Sequence, residues 1–173
     1  SALDNVIGVY SLVSDYGSQF LRFGENGPES VFEIQYSNQS NWYDWGCAHC
    51  SEGNYAIIMN GPRGWSGPEY AQGWSFNVPT AEFYNSFEEG DTRRDATILD
   101  IEAFAAATGA NYTEGYDHTG YFNNKYIPRA GESGGQTELN YLTNFRIIRY
   151  SDVLLMAAEA YNRGGIDDGI AQE

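Results

Sequence analysis

Basic residues are scarce in this sequence. It carries 9 Lys and Arg against 24 Asp and Glu, which gives a formal net charge of −15 at pH 7. Nucleic-acid binding depends on clustered Lys and Arg that neutralise phosphates, and the same residues draw proteins to anionic membrane surfaces. The charge therefore disfavours both a nucleic-acid partner and direct docking on an acidic bilayer.

Long hydrophobic runs are also missing. The apolar run Val153–Ala158 is far shorter than the ~20 residues that a membrane-spanning helix needs. No signal peptide and no lipobox cysteine is visible. We expect the sequence to be a fragment of a larger protein, because a new helical pattern begins at Ile166 and stops at Glu173. For a fragment, these absences carry no information about export.

Only two cysteines are present, in the stretch Cys47-Ala48-His49-Cys50. A tetrahedral zinc site needs four ligands, and this stretch offers at most three, crowded together. A redox-active pair belongs at a helix N-terminus after a strand, and neither is evident. A local disulfide is the favoured interpretation, with free thiols and a metal site as alternatives. We predict no cofactor and no bound metal.

Histidine is limited to two residues, and none follows Ser133. Residues 131–135 match the G-x-S-x-G pattern of serine hydrolases, which requires an Asp and a His later in the chain, so we predict no nucleophilic serine. Acidic residues cluster at 88–91 and at 95–102, and a glycosidase needs two carboxylates beside a sugar cleft. Because two arginines lie among these acids, a salt-bridged surface is the simpler prediction.

The clearest structural signal lies in residues 144–164. A short extended lead-in is followed by a helix of roughly four turns. Arg146, Arg149 and Asp152 are predicted to be structural partners at the helix entrance, and Gly164 is placed as the left-handed residue that ends it. The apolar run in its middle has no polar face, which predicts that other parts of the protein cover the helix on several sides.

This stretch resembles a known family. The run from Arg149 to Ala160 resembles the signature of the SusD/RagB family, surface nutrient-binding lipoproteins of Bacteroidetes that cap a TonB-dependent outer-membrane transporter. Further matches occur in the family's order at Glu29–Ser37, Pro79–Thr80, Phe87, Asp91–Thr97 and Lys125–Tyr126. The resemblance implies a SusD-like fold, mainly α with long loops and a few short strands, and with a tetratricopeptide-type helical hairpin at the C-terminal end.

We expect the sequence to be a fragment of one SusD-like domain in four parts. These are residues 1–37 with helix and strand, 38–79 as an aromatic loop region, 80–130 with helices and loops, and 131–173 as a truncated helical hairpin.

Local patterns predict particular elements within these parts. Residues 1–23 carry a crowded helical pattern. Alternation over 30–37 predicts a half-buried strand with Phe32 and Ile34 on its apolar face, and Tyr55–Met59 is predicted to be a short strand. Residues 80–107 are predicted to hold two helices, the first capped by Thr80 with Phe83 facing inward. The state of residues 96–101, strand or helix, is left open.

The aromatic loop region holds all four tryptophans and is the candidate binding site. A flat indole covers the apolar face of a sugar ring, while amide and charged side chains satisfy its hydroxyls. Each stack buries about 40–60 Å² of apolar surface, worth on the order of 1–1.5 kcal/mol. The residues predicted to bind ligand are Trp42, Tyr43, Trp45, Trp65 and Tyr70. Trp74 is predicted to be structural, and for each ring alone packing onto the body is the alternative.

Together these observations favour a non-enzymatic glycan binder. The resemblance implies a surface-exposed outer-membrane lipoprotein with two partners, a glycan and a SusC-like TonB-dependent transporter, and a membrane link only through a lipid anchor outside this fragment. A glycoside hydrolase and a helical scaffold that binds peptide or protein are the alternatives.

Overall fold

The structure is a computed structural model that describes residues 2–39, 45–133 and 140–165. The helices are α1 (Ala56–Met59), α2 (Ala81–Asn85), α3 (Arg93–Thr97), α4 (Ile101–Thr108) and α5 (Tyr150–Gly164). The strands are β1 (Ser30–Ile34), β2 (Arg63–Ser66), β3 (Ile98–Asp100), β4 (Asn111–Thr113), β5 (Tyr121–Asn123) and β6 (Phe145–Arg149). Short 3-10 helices occupy Ala2–Asn5, Ser18–Phe20, Arg22–Gly24 and Trp45–Cys50. Within the described ranges, no helix has the length and apolar character needed to cross a membrane.

The strands pair as three separate antiparallel ribbons. β1 pairs with β6, β2 with β4, and β3 with β5. In the first ribbon Ile34 lies opposite Phe145, and in the third Leu99 lies opposite Phe122. Because the paired strands are far apart in sequence, the ribbons tie the four parts of the chain together.

The β6–α5 unit confirms the extended lead-in and the helix predicted for residues 144–164. Asp152 accepts a hydrogen bond of 2.8 Å from the backbone N–H of Arg149, which gives a partner to an amide at the helix entrance. The helix ends one residue later than predicted, since Gly165 rather than Gly164 adopts the left-handed φ of 63° that closes it. The second helix of the predicted hairpin would fall in residues 166–173, outside the described residues.

α5 buries one stripe rather than several sides. Tyr150, Val153 and Ala157 are buried at helical spacing, whereas Leu155 is 70% exposed and Met156 is 45% exposed. The prediction that this apolar run is covered on several sides is therefore wrong for the described chain, because the helical period carries Leu155 and Met156 away from the buried stripe.

The strand predicted at residues 30–37 is present as β1, but its faces are reversed. Glu33 is only 7% exposed, whereas Phe32 is 55% exposed and Ile34 is 40% exposed. Glu33 lies opposite Arg146 of β6, with 3.5 Å between its Oε1 and the Arg146 Nε. A buried charge requires a partner, and this ion pair decides which face of the strand turns inward.

The segment Tyr55–Met59, predicted to be a strand, contains helix α1 instead. The side chain of Asn54 accepts a hydrogen bond of 3.2 Å from the backbone N–H of Ala56, which favours a turn at this point. Ile57 and Ile58 are both buried, at 1% and 2% exposure. Two consecutive buried apolar residues fit a short helical turn inside the protein better than an alternating strand.

The region from 80 to 107 follows the sequence prediction in part. The Thr80 hydroxyl accepts a hydrogen bond of 3.2 Å from the backbone N–H of Phe83, as expected for a cap. Phe83 is 48% exposed, so its predicted inward orientation is wrong. The undecided stretch 96–101 comprises the end of α3, the strand β3 and the start of α4, which Asp100 caps by accepting from the Ala103 N–H.

Two clusters of buried apolar side chains form the interior. The larger, which we call the apolar core, comprises Trp65, Tyr70, Leu99, Ile101, Phe122 and Ile127. The smaller comprises Ile57, Ile58 and Tyr141, with Trp74 packed against it as predicted. In residues 2–23, where a helical pattern was predicted, the structure holds only short 3-10 helices.

A third interior region is made of charges. This charged clamp comprises Glu25, Glu29, Glu33, Arg146 and Arg149. Arg146 donates to the carbonyls of Asn144 at 2.7 Å and Leu21 at 3.1 Å, and the Asn144 amide donates to Glu33 at 3.1 Å. These contacts confirm the prediction that the arginines at the entrance of α5 are structural partners.

Candidate functional site

Three of the five rings predicted to bind ligand cannot be placed on a surface. Trp42 and Tyr43 lie outside the described residues. Trp45 begins the 3-10 helix Trp45–Cys50, but its ring is not among the described side chains. For these three residues ligand contact stays a prediction.

Trp65 and Tyr70 lie in the apolar core, at 9% and 5% exposure. Their rings meet edge to face with centroids 5.9 Å apart, and both pack against Phe104 of α4. Stacking on a sugar requires an open ring face. The expectation that these two rings stand open to a ligand is therefore wrong, because protein covers the faces a sugar would need.

Polar contacts fix the position of Tyr70. Its hydroxyl lies 3.2 Å from the Asn124 side-chain oxygen, to which it donates, and the Arg129 guanidinium lies 5.3 Å from its ring centroid. Arg129 also pairs with Glu69 at 3.1 Å. Burial, reinforced by the Glu69 charge, raises the pKa of Tyr70 to about 12. The phenol is therefore neutral at physiological pH and serves packing rather than proton transfer.

Phe76 is a further ring in the aromatic loop region that the sequence patterns missed. It is 50% exposed, with the Arg63 guanidinium 5.7 Å from its centroid and Trp74 edge-on at 6.2 Å. Ser75 and Asn77 on either side have φ values of 57° and 53°, so the backbone bends sharply around it. An open ring beside a guanidinium and an exposed amide offers both a face and a hydrogen-bonding rim. A single Phe in a stretch without periodicity gives no sequence signal.

Cys47 and Cys50 form a disulfide, with Cα atoms 5.3 Å apart. The favoured sequence interpretation is therefore confirmed. Since both thiols are used, neither can ligate a metal, and the described residues contain no group of three or more His, Cys, Asp or Glu side chains that could hold one. The disulfide closes a short loop directly after the predicted ring residues.

The acidic clusters are paired with arginines. Asp91 binds Arg93 through both carboxylate oxygens, the shortest contact being 2.6 Å, and Asp95 binds Arg94 at 2.9 Å. Hydrogen bonds from Arg93 lower the pKa of Asp91 to about 2. A carboxyl group that is ionised at neutral pH cannot act as the general acid of a glycosidase. The predicted salt-bridged surface is confirmed for these two pairs.

Comparison with known proteins decides the family. The model of the SusD family matches residues 28–173, most of the chain. The chain belongs to the SusD family. The matched region includes β1, the paired arginines of α3 and the whole β6–α5 unit, where the sequence resemblance was strongest.

Related proteins agree in fold and in name. A SusD-like protein P2 of Formosa agariphila is 28% identical over 142 residues, covering 78% of this chain and 26% of that protein. A solved laminarin binding SusD-like protein is 37% identical with a TM-score of 0.81, covering 91% of this chain and 38% of that one. Surface glycan-binding protein A from Bacteroides thetaiotaomicron, solved in complex with laminarihexaose, is 32% identical with a TM-score of 0.87, covering 97% and 39%.

These likenesses establish a SusD-like fold for the chain. The two solved relatives are named as binding proteins, not as enzymes. This chain spans only about a quarter to two fifths of the length of the relatives it matches.

Proposed function

We propose that the protein binds glycan without cleaving it and delivers it for uptake through a TonB-dependent outer-membrane transporter of the SusC type. The observation that carries the proposal is the likeness of nearly the whole chain to a surface glycan-binding protein solved with laminarihexaose. A second solved relative, 37% identical, is named for laminarin binding. Laminarin and laminarihexaose are therefore the first ligands to test.

Within this chain we assign glycan contact to the aromatic loop region. Trp42, Tyr43 and Trp45 are the predicted stacking rings, and the exposed Phe76 with the adjacent Arg63 supplies a face and donors in the same part of the sequence. Two stacks of about 1–1.5 kcal/mol each, with a few hydrogen bonds, correspond to a Kd in roughly the micromolar to millimolar range. Trp65 and Tyr70 are left out as open platforms because they are buried.

We also propose that the protein acts on the cell surface at the outer membrane, attached by a lipid anchor outside this sequence. The charge of −15 supports this arrangement, because direct adsorption to an anionic lipid surface would be electrostatically unfavourable. Pull-down of a transporter from solubilised outer membranes by the tagged protein tests the partner.

Affinity electrophoresis through gels containing laminarin, followed by calorimetric titration with laminarihexaose, tests glycan binding. We expect retention of the wild type and loss of retention for Trp42→Ala. Phe23→Ala is the matched control, since Phe23 is 77% exposed and lies outside the aromatic loop region. Failure of the wild type to bind any member of a broad glycan panel would refute the function. Release of reducing sugar, abolished by an amide substitution at one carboxylate, would show a hydrolase instead.

A further inference from the structure

An open cleft lies beside α2, on the other side of Pro79 in sequence from the aromatic loop region. We call it the α2 cleft. It has a volume of about 490 Å³, within the range of roughly 300–1,000 Å³ typical of small-molecule sites. Its rings are Tyr16, Phe83 and Phe87, and its polar lining includes Arg93, Thr97 and Lys125.

The aromatic side of the cleft presents an open face. Phe83 and Phe87 are four residues apart, and their ring centroids lie 5.4 Å apart. Phe83 remains 48% exposed although it belongs to a capped helix. A partly exposed ring braced by a second ring is suited to covering the apolar face of a sugar.

The polar side is held in place before any ligand arrives. Asp91 binds Arg93 through both carboxylate oxygens and fixes its guanidinium, whose side chain is still 64% exposed. The Lys125 ammonium lies 4.7 Å from the Phe20 centroid and 5.1 Å from that of Tyr16. Lys125 is the one lysine of the sequence, and no described carboxylate forms a salt bridge with it. Its hydrogen-bond donors are thus available.

We propose that the α2 cleft is a second glycan subsite, which binds a hydroxyl-rich sugar unit between Phe83 and the donors Arg93 and Lys125. This inference rests on the proposed glycan-binding function. The mixed lining selects the ligand class. Carboxylates at Glu88 and Asp91 disfavour a phosphorylated ligand, and the charges disfavour a purely apolar one. Sugar hydroxyls can accept from Arg93 and Lys125 and donate to the same carboxylates.

The first test compares three variants by calorimetric titration with laminarihexaose. Phe83→Ala should weaken binding about 5- to 10-fold, the effect of one lost sugar stack. Thr97→Val removes one hydroxyl at nearly constant volume and should weaken binding about 2- to 5-fold if that hydroxyl bonds the sugar. The exposed-ring control Phe23→Ala should bind like the wild type. Unfolding midpoints confirm that each variant is folded.

The second test uses Lys125 as a probe. Reductive methylation with ¹³C-formaldehyde labels its amine, and Lys125→Arg identifies the signal by losing it. Saturation with laminarihexaose should shift this signal. An unshifted Lys125 signal, together with wild-type affinity in Phe83→Ala and Thr97→Val, would overturn the second subsite while glycan binding itself stood. If the wild type binds no glycan at all, the proposed function fails first.

Discussion

The apolar core and the charged clamp hold this chain together by opposite means. In the apolar core, Phe122 and Ile101 are both fully buried, and burial of hydrocarbon stabilises the fold without regard to direction. In the charged clamp, the Glu33 and Arg146 side chains are 1% and 2% exposed, and their stability depends on defined partners and distances. Apolar packing tolerates adjustment, whereas a buried charge tolerates no missing partner.

The largest effect is expected in the apolar core. Phe122→Ala removes a ring with no exposed surface and leaves a cavity, so the free energy of unfolding should fall by about 3–5 kcal/mol. Chemical denaturation measures the change. Phe23→Ala, at an exposed site, should change stability by no more than about 0.5 kcal/mol. Equal losses for the two variants would contradict the location of the core.

In the charged clamp, removal of one partner should cost nearly as much. Arg146→Met leaves the buried Glu33 carboxylate without its cation, and the free energy of unfolding should fall by about 3 kcal/mol. The double variant Glu33→Leu with Arg146→Met should recover most of that loss, since no unpaired charge remains. Additive losses in the double variant would show that packing, and not pairing, dominates the charged clamp.

A pH titration separates the two regions further. Tyr70 has a pKa of about 12 in the folded protein against 10 when unfolded, because burial opposes its ionisation. Its contribution to stability is therefore complete below pH 10 and is lost as the pH rises from 10 to 12. Unfolding midpoints measured across this interval should fall less steeply for Tyr70→Phe than for the wild type. An identical slope would place the phenol in water.

The smallest effect is expected for an ion pair on the surface. Glu159 and Arg163 of α5 lie 2.6 Å apart, with 59% and 78% of their side chains exposed. Glu159→Ala should lower the free energy of unfolding by only about 0.3–0.5 kcal/mol, and 1 M salt should remove most of that difference. A loss comparable to that of Arg146→Met would erase the distinction between exposed and buried pairs.

Local signals predicted local structure well. The β6–α5 unit follows from its helical period and from Asp152 at its entrance, and the Cys47–Cys50 disulfide follows from close spacing. The capping role of Thr80 needed only the residues around it.

Failures occurred where a partner distant in sequence decides burial. Glu33 turns inward because Arg146 lies opposite it, and no alternation pattern within β1 contains that information. Trp65 is buried because Phe104 and Phe122, contributed by later segments, cover it. The chemical identity of a ring predicts what it can bind, but only the tertiary fold decides whether its face is open.

Glycan binding outside the two interior regions is tested most directly by a crystal structure of the protein with laminarihexaose. We expect sugar rings stacked on at least one of Trp42, Tyr43 and Trp45. A structure in which bound sugar leaves all three rings untouched would contradict that site, and crystals that take up no sugar at saturating concentration would contradict glycan binding itself.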